Sequence, residues 1–420
     1  MSFQFDKLLI NNWKQFEAID INFHPKLTIL TGSNGAGKTT LVKILARNFG
    51  WNFSEIATPF KKENGDFSYL TRVTSKLKNF FSLPLRLFEA AASNGPVIGS
   101  LSYSNGQKAS LQVPLESGPS YQIQISNQQQ VEGIHIPSHR PQFFYQQVSQ
   151  IPTRARTASE AFQQVQSNSM NFSISGGGSA IAYQIKESLI SWALFGFGNQ
   201  IIAANDIAKE NFLGFQKILR IVLPISLGFQ EFSIRNSDVV LVCSTGEFLI
   251  DACSGGITAL IDLSWQIFNF KPSGSPFSVI IDEAENHLHA SMQRSLLPSL
   301  IEAFPEVQFI VTTHSPLIIG SVKESNVYAL TYTDGRVNST QLDIENKASS
   351  ATEILVDVLG LDATMPIWAA KELDEIVTRN SRDGFSEAAV KSLRNDLKSR
   401  GLEHLYPSAL DAFIKKNFGG

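Results

Sequence analysis

The sequence predicts an α/β protein whose central sheet is largely parallel and covered on both faces. Three observations carry that prediction. Apolar strand segments alternate with helical ones at both ends of the chain. A glycine-rich loop, Gly32 to Thr40, joins one such strand to one such helix. Two further apolar strands, "FSVIIDEAE" and "VQFIVTTHS", break into polar residues at their carboxyl ends. In a parallel sheet those ends share one edge, where ligands bind.

Each element follows from local pattern. "KLLINNW", "EAIDINF" and "LTIL" read as successive strands, the last breaking at the glycine-rich turn. "KTTLVKILARNF" places apolar residues at 41, 42, 44, 45 and 49, one face of a helix. Residues 97–136 alternate apolar and polar around Asn105-Gly106, which predicts a small antiparallel sheet. The polar stretch 146–178 reads as a flexible connection, and 179–222 as apolar helix too short and too aromatic for a long coiled coil. Strands resume in "FSIRNSDVVLVCSTGEFLID" with a hairpin at Ser-Thr-Gly, and "DACSGGITAL" opens a helix. After the strand "FSVIIDEAE" come a helix to about Phe304, the strand "VQFIVTTHS" and a mostly helical end, with no internal repeat. The expected divisions are a first lobe at 1–150, a helical insertion at 151–222, a second lobe at 223–335 and a helical C-terminal region at 336–420.

Composition narrows the class. The 420 residues are 43% hydrophobic, ample for a real core. The N-terminus lacks a basic stretch followed by an apolar one, and no apolar run approaches the roughly 18 residues of a membrane span, so a cytoplasmic protein without membrane attachment is expected. Cys243 and Cys253 read as buried thiols rather than a disulfide scaffold. The net charge of −3 is unevenly spread. Residues 1–220 carry 20 Lys/Arg against 13 Asp/Glu, and residues 221–420 carry 15 against 25. A basic first half admits DNA as a partner, although no Lys/Arg cluster with interleaved aromatics supports it.

The chemistry sits in four short stretches. "GSNGAGKTT" fits G-x-x-x-x-G-K-[ST] between a strand and a helix. Gly32, Asn34, Gly35 and Gly37 let backbone N–H groups curl around the α and β phosphates of ATP, Lys38 reaches the β and γ phosphates, Thr39 ligates Mg²⁺ and Thr40 continues the loop into the helix. At the end of the "FSVIIDEAE" strand, Asp282 is the expected partner of Mg²⁺ and Glu283 the expected general base for the attacking water. His314 follows the next strand and is placed to hydrogen-bond a γ-phosphate. Ser254, Gly255 and Gly256 form a second phosphate-type turn at a helix start. With one nucleotide already cradled upstream, this turn completes the γ-phosphate shell of another subunit's nucleotide, giving a head-to-tail dimer that sandwiches two ATP molecules.

This order of phosphate loop, Ser-Gly-Gly, Asp-Glu and His resembles the ABC-type ATPases of the SMC and RecF group. "IIDEAENHLH" and "VTTHSP" are most similar to the compact ATPases of OLD-family nucleases and of bacterial anti-phage systems such as Septu and PARIS. The resemblance covers residues 1–60 and 225–330 well and the middle poorly. It implies an ABC-type P-loop fold with a mixed central sheet, a small antiparallel subdomain and a helical insertion. It also implies that "ENHLHASMQ", with His287 and His289, lies across a dimer and couples two sites rather than binding metal.

The sequence departs from the family at Ala284 and Ala290, where Pro is frequent, at Ile257, where Glu or Gln often follows the glycines, and at the Mg²⁺-sensing Gln, for which Arg140 and Gln142 in "IPSHRPQ" are weak candidates. Only 106 residues follow His314, and they lack the Glu and Asp-x-Asp pattern of a TOPRIM nuclease. The function implied is therefore an ATP-hydrolysing sensor or scaffold of an anti-phage system that controls a separately encoded nuclease or toxin. A RecF-like DNA-binding ATPase of repair is the alternative.

Overall fold

The first three strands are laid down in quick succession. Alternation in "FDKLLINNW" buries Phe5, Leu8, Ile10 and Trp13 from β1 (Phe5–Trp13), and β2 (Phe16–Asn22) buries Phe16, Ile19 and Ile21. β3 (Leu27–Gly32) is buried throughout, as a parallel strand covered on both faces must be. In this computed structural model the described residues are 3–61, 65–70, 95–114, 116–141, 143–175, 181–270, 276–360, 365–381 and 384–418. Helix α1 (Lys38–Ala46) follows the glycine-rich loop.

Short strands come next: β4 (Glu55–Ile56), β5 (Thr58–Lys61) and β6 (Phe67–Leu70). β7 (Val97–Tyr103) and β8 (Lys108–Gln112) form the hairpin expected at Asn105-Gly106. β9 (Glu116–Ser117), β10 (Ser120–Tyr121), β11 (Gln124–Ser126) and β12 (Gly133–Ile136) complete this region. The antiparallel strands do not stand apart as a separate small sheet. β7, β8 and β11 continue the main sheet beyond β1, while β12 pairs in parallel at the opposite edge.

Residues 158–175 are not a flexible connection. They form α2 (Ala158–Ser175), started by a reciprocal cap in which Glu160 N donates to Thr157 Oγ1 and Thr157 N to Glu160 Oε2. Ala161, Phe162 and Val165 supply its buried stripe. Part of the Ser-Gly-Gly-Gly-Ser run lies outside the described residues. α3 (Ile181–Phe197) and α4 (Asp206–Val222) fill the helical stretch read from sequence. Trp192 of α3 stacks at 5.1 Å on Trp265, and Phe215 of α4 meets the same ring edge-on at 4.9 Å.

The antiparallel trio β13 (Phe229–Arg235), β14 (Asp238–Cys243) and β15 (Gly246–Leu249) leads into α5 (Gly255–Asn269), which carries Trp265. Then come β16 (Phe277–Ile281), α6 (Ala290–Ala303), β17 (Val307–Thr312) and the short α7 (Pro316–Ile319). Contrary to the expected helical continuation, β18 (Asn326–Thr333) and β19 (Arg336–Gln341) form a hairpin, because the Asp334-Gly335 turn joins two segments that enter the sheet centre. Eleven strands thus run in the order β11-β8-β7-β1-β2-β19-β18-β3-β17-β16-β12. The parallel run β18, β3, β17, β16 and β12 positions the site.

Contacts divide the chain into two compact units, Met1–Ile354 and Leu355–Gly420. The first also contains the short helices α8 (Ile344–Ala348) and α9 (Ala351–Glu353). The second packs α10 (Ile367–Asn380), α11 (Glu387–Ser399) and α12 (Tyr406–Phe418) around Ile376, Leu393, Leu397 and Phe413. Among the described residues no helix is long and apolar enough to cross a membrane.

His135 on β12 makes the fold sensitive to acid. It is 4% exposed, its Nδ1 has no hydrogen-bond partner among the described residues, and its ring meets Trp51 edge-on at 5.0 Å. Burial, helped by the charge of Lys43, pushes its pKa down to about 3. The fold therefore keeps His135 neutral while the unfolded chain takes up a proton below its ordinary pKa of 6.5, and stability is lost as pH falls from 6.5 towards 3. Between pH 7.5 and 5 this amounts to about 2 kcal/mol. Urea titrations at both pH values should show a pH-dependent loss smaller by about that amount in His135→Phe, and equal losses in the two proteins would refute the assignment.

Candidate functional site

Three strand ends build the centre. β3, β17 and β16 are neighbours in parallel register, with Ile29 opposite Val311 and Val311 opposite Ile281, so the segments after Gly32, Thr312 and Ile281 emerge at one edge. Gly32 and Gly37 are confined to glycine by both backbone and space. Gly32 has φ +139°, and a Cβ there would lie 2.3 Å from the Leu330 carbonyl oxygen on β18. Gly37 has φ +96°, and a Cβ would lie 2.4 Å from the Phe16 ring. Ser33, Asn34 and Gly35 are exposed at the loop tip, where Tyr332 Oη donates to the Gly35 carbonyl at 3.0 Å.

Lys38 is buried and donates to the carbonyls of Gly32 at 2.9 Å and Ser33 at 3.1 Å, inside the curl of the loop. Burial lowers its pKa to about 8, against the opposing pull of Glu283, Asp282 and Glu285. Those contacts hold the ammonium where an anion would meet it. Thr39 and Thr40 occupy the first turn of α1, and Thr39 Oγ1 donates to Asp282 at 3.0 Å. The pairing of a hydroxyl with a carboxylate is the hard-oxygen donor set that suits Mg²⁺. Asp282 also accepts from Thr312 Oγ1 at 2.5 Å, and burial raises its pKa against the effect of both hydroxyls.

Glu283 has φ 48°, a conformation non-glycine residues rarely adopt, of the kind stored at functional sites. Two contacts fix it: its N–H donates to Thr312 Oγ1 at 2.7 Å, and Asn286 Nδ2 donates to its carboxylate at 3.0 Å. His314 is half-buried, and its own N–H donates to Glu285 Oε1. Burial first, then the Lys38 charge, lowers its pKa, which favours a neutral imidazole able to donate one hydrogen bond.

The Ser-Gly-Gly turn is built differently from an ordinary helix cap. Ser254 is the N-cap of α5, yet its side chain makes no capping hydrogen bond, and both Ser254 and Gly255 are exposed. A Cβ on Gly255 would meet nothing nearer than His287 Cβ at 4.0 Å, whereas one on Gly256 would lie 2.8 Å from Met292 Sδ. Gly256 is thus small to seat the segment after the acids, and the space in front of Ser254 and Gly255 is open to a ligand. In that segment His287 is exposed, and His289 caps α6 by accepting from Ser291 N.

Three residues before Ser254, Asp251 is pinned from the helical insertion. Lys186, 1% exposed, donates to Asp251 at 2.5 Å, to Asp238 at 3.3 Å and to the Gln146 carbonyl at 2.6 Å. Removing the cation strands two carboxylates, one fully buried. Lys186→Met should therefore destabilise the protein by about 3–5 kcal/mol, and Lys186→Met/Asp251→Asn should recover much of it. Chemical denaturation decides this, and a loss under about 1 kcal/mol would contradict the buried pairing.

The structure brings together the phosphate loop, Asp282, Glu283 and His314, and sets Ser254 to Gly256 beside His287. Arg140 is 7% exposed and, among the described residues, donates a long 3.4 Å bond to the Asn286 carbonyl and leaves Nε and Nη1 without a partner. Gln142 lies outside the described residues. Sequence reading missed Thr312, Glu285, Asn286 and Tyr332. Asn286 had a usable signal, a carboxamide one turn beyond the acid, while Lys186 stood out as a lone cation in an apolar helix.

Comparison with known proteins covers the same stretches of chain. Residues 7–166 match a family model described as "AAA domain", and residues 161–320 one described as "AAA domain, putative AbiEii toxin, Type IV TA system". AAA-domain matches thus span residues 7–320, and with them the phosphate loop, the Ser-Gly-Gly turn, Asp282, Glu283 and His314. Among named proteins the chain is similar to Septu protein PtuA of Bacillus thuringiensis, at 23% identity over 406 residues and 92% of each chain. It is also similar to the "Retron Ec83 probable ATPase" of Escherichia coli, at 31% identity over 35% of this chain and 26% of that one. The SMC head domain of Thermotoga maritima covers 82% of this chain and 100% of its own length at 14% identity and a TM-score of 0.41.

Proposed function

We propose that the protein hydrolyses ATP with Mg²⁺ in a head-to-tail dimer, and that it serves as the sensor or scaffold subunit of a bacterial anti-phage system controlling a separately encoded nuclease or toxin. The observation that carries the dimer is Ser254. An exposed hydroxyl at a helix start, unspent on its own cap and beside an open Gly255, suits a phosphate brought by a second copy. The defence role is supported by similarity to Septu protein PtuA along nearly the whole chain and to two retron ATPases over shorter stretches. These relatives do not favour a RecF-like repair ATPase.

In this reading the loop N–H groups cradle the phosphates, and Lys38 exchanges the Gly32 and Ser33 carbonyls for phosphate oxygens. Thr39 and Asp282 would hold Mg²⁺, whose chemistry when bound is to neutralise phosphate charge. Glu283, oriented by Asn286, accepts the proton of the attacking water, and His314 donates to the γ-phosphate. The second subunit's Ser254 hydroxyl and Gly256 N–H close the shell.

Phosphate release and light-scattering mass, each with and without ATP and Mg²⁺, test the enzymatic part. Release that requires Mg²⁺ and a mass that doubles with ATP are expected. A mass indifferent to nucleotide would overturn the ATP-built dimer. For the biological part, plaque counts are compared in cells carrying the gene with its genomic neighbours. Protection should vanish with Lys38→Ala, and full protection in that variant would sink the defence reading.

A further inference from the structure

We infer that the cleft between α2 and α3 is a binding site for an extended polypeptide, recognised through its main chain. The cleft is about 610 Å³, within the roughly 300–1,000 Å³ typical of ligand sites. Gln163, Gln164 and Asn168 of α2 and Gln184 of α3 line it, with Thr153 from the segment that precedes α2. That segment is fixed: Arg156 N donates to Ser191 Oγ at 3.1 Å, and Trp192 Nε1 donates to the Arg156 carbonyl at 2.7 Å. The wall is therefore rigid enough to present its side chains in one arrangement.

The chemistry of the lining selects the occupant. Two arginines reach the cleft, but each is already neutralised, Arg154 by Glu160 and Arg156 by Glu187 at 2.8 Å. Among the described residues a phosphate-bearing ligand would have to displace Glu160 or Glu187 to reach these charges, whereas Arg156 Nε, left without a partner, can donate to a neutral carbonyl. The carboxamides instead offer donors and acceptors together, the complement of a peptide unit. Gln164 Oε1 and Gln184 Oε1 are buried with no partner among the described residues, and a turn of either carboxamide towards the cleft would let an incoming N–H satisfy its oxygen. Pro152 and the neighbouring Ile151, 46% exposed, add an apolar flank for a side chain.

The site rests on the scaffold reading above only for the source of the peptide, a separately encoded protein. Full-length protein is panned against phage-displayed random peptides, and enriched peptides are titrated as fluorescein conjugates by anisotropy. Gln163→Arg fills the mouth from an exposed position and spares the fold. It should weaken binding about tenfold or more, as should Gln164→Leu and N-methylation of the peptide main chain. Lys38→Ala should bind peptide as wild type does while releasing no phosphate, so failure of the ATPase reading and failure of this site are told apart. Absence of enriched peptides, peptides indifferent to both Gln variants, or a single-stranded oligonucleotide that binds and is lost in those variants would each overturn the proposal.

Discussion

Glu283→Gln should bind ATP as tightly as the wild type and release phosphate about 10²–10⁴ times more slowly, the range a general base contributes. The substitution conserves shape. Asn286 can still donate to the remaining side-chain oxygen, the strained backbone at φ 48° is unchanged, and the Thr39, Thr312 and Asp282 contacts do not involve the altered atoms. Only the ability to take a proton from water is lost. Single-turnover phosphate release gives the rate, and scattering mass should show a dimer that persists once ATP is added. A reduction below about tenfold would mean that another group acts as the base, and Glu285, already bound to His314 N and Thr313, would be the next to test.

Ser254→Arg should abolish both dimerisation and turnover while leaving each monomer able to bind ATP. Ser254 is exposed and caps nothing with its side chain, so the fold should lose no more than about 0.5 kcal/mol, as for other surface changes. A long cation in front of Gly255 instead blocks the approach of the partner's loop. Mixing gives a sharper readout. Alone, Ser254→Arg and Lys38→Ala each lack every intact composite site, but a heterodimer regains one and has only one blocked loop, so equal mixing should restore turnover at up to about half of the wild-type sites. No recovery on mixing, with both variants folded and ATP bound by Ser254→Arg alone, would place the Ser-Gly-Gly turn outside the hydrolytic centre.

Much of this site could be read before any fold was known, because its pieces are contiguous. A phosphate loop needs its glycines, Lys and Thr in one short span, and two acids at the end of an apolar strand declare a sheet edge. Residues that act through register could not be read. Thr312 touches Asp282 only because β16 and β17 lie side by side, and Tyr332 reaches Gly35 only because β18 inserts next to β3. Helix α2 was hidden by its Gln, Ser and Asn content, although the Thr157 and Glu160 pair carried the capping signal. Strand β12 looked like a member of the antiparallel group because four residues of alternation say nothing about which edge they join.

The sheet order also sets a schedule for synthesis. The phosphate motif is complete by residue 40, but β3 takes its neighbours from β17 and β18, and Gly32 packs against Leu330. At about 5–20 residues per second the ribosome needs roughly 15–60 s to deliver those partners. Until then an apolar strand waits with both edges open, a hazard that chaperones exist to cover. A chain broken off before β18 carries the whole nucleotide motif yet cannot seat it. ATP binding by this protein thus reports that translation has passed β18, about 290 residues beyond the motif itself.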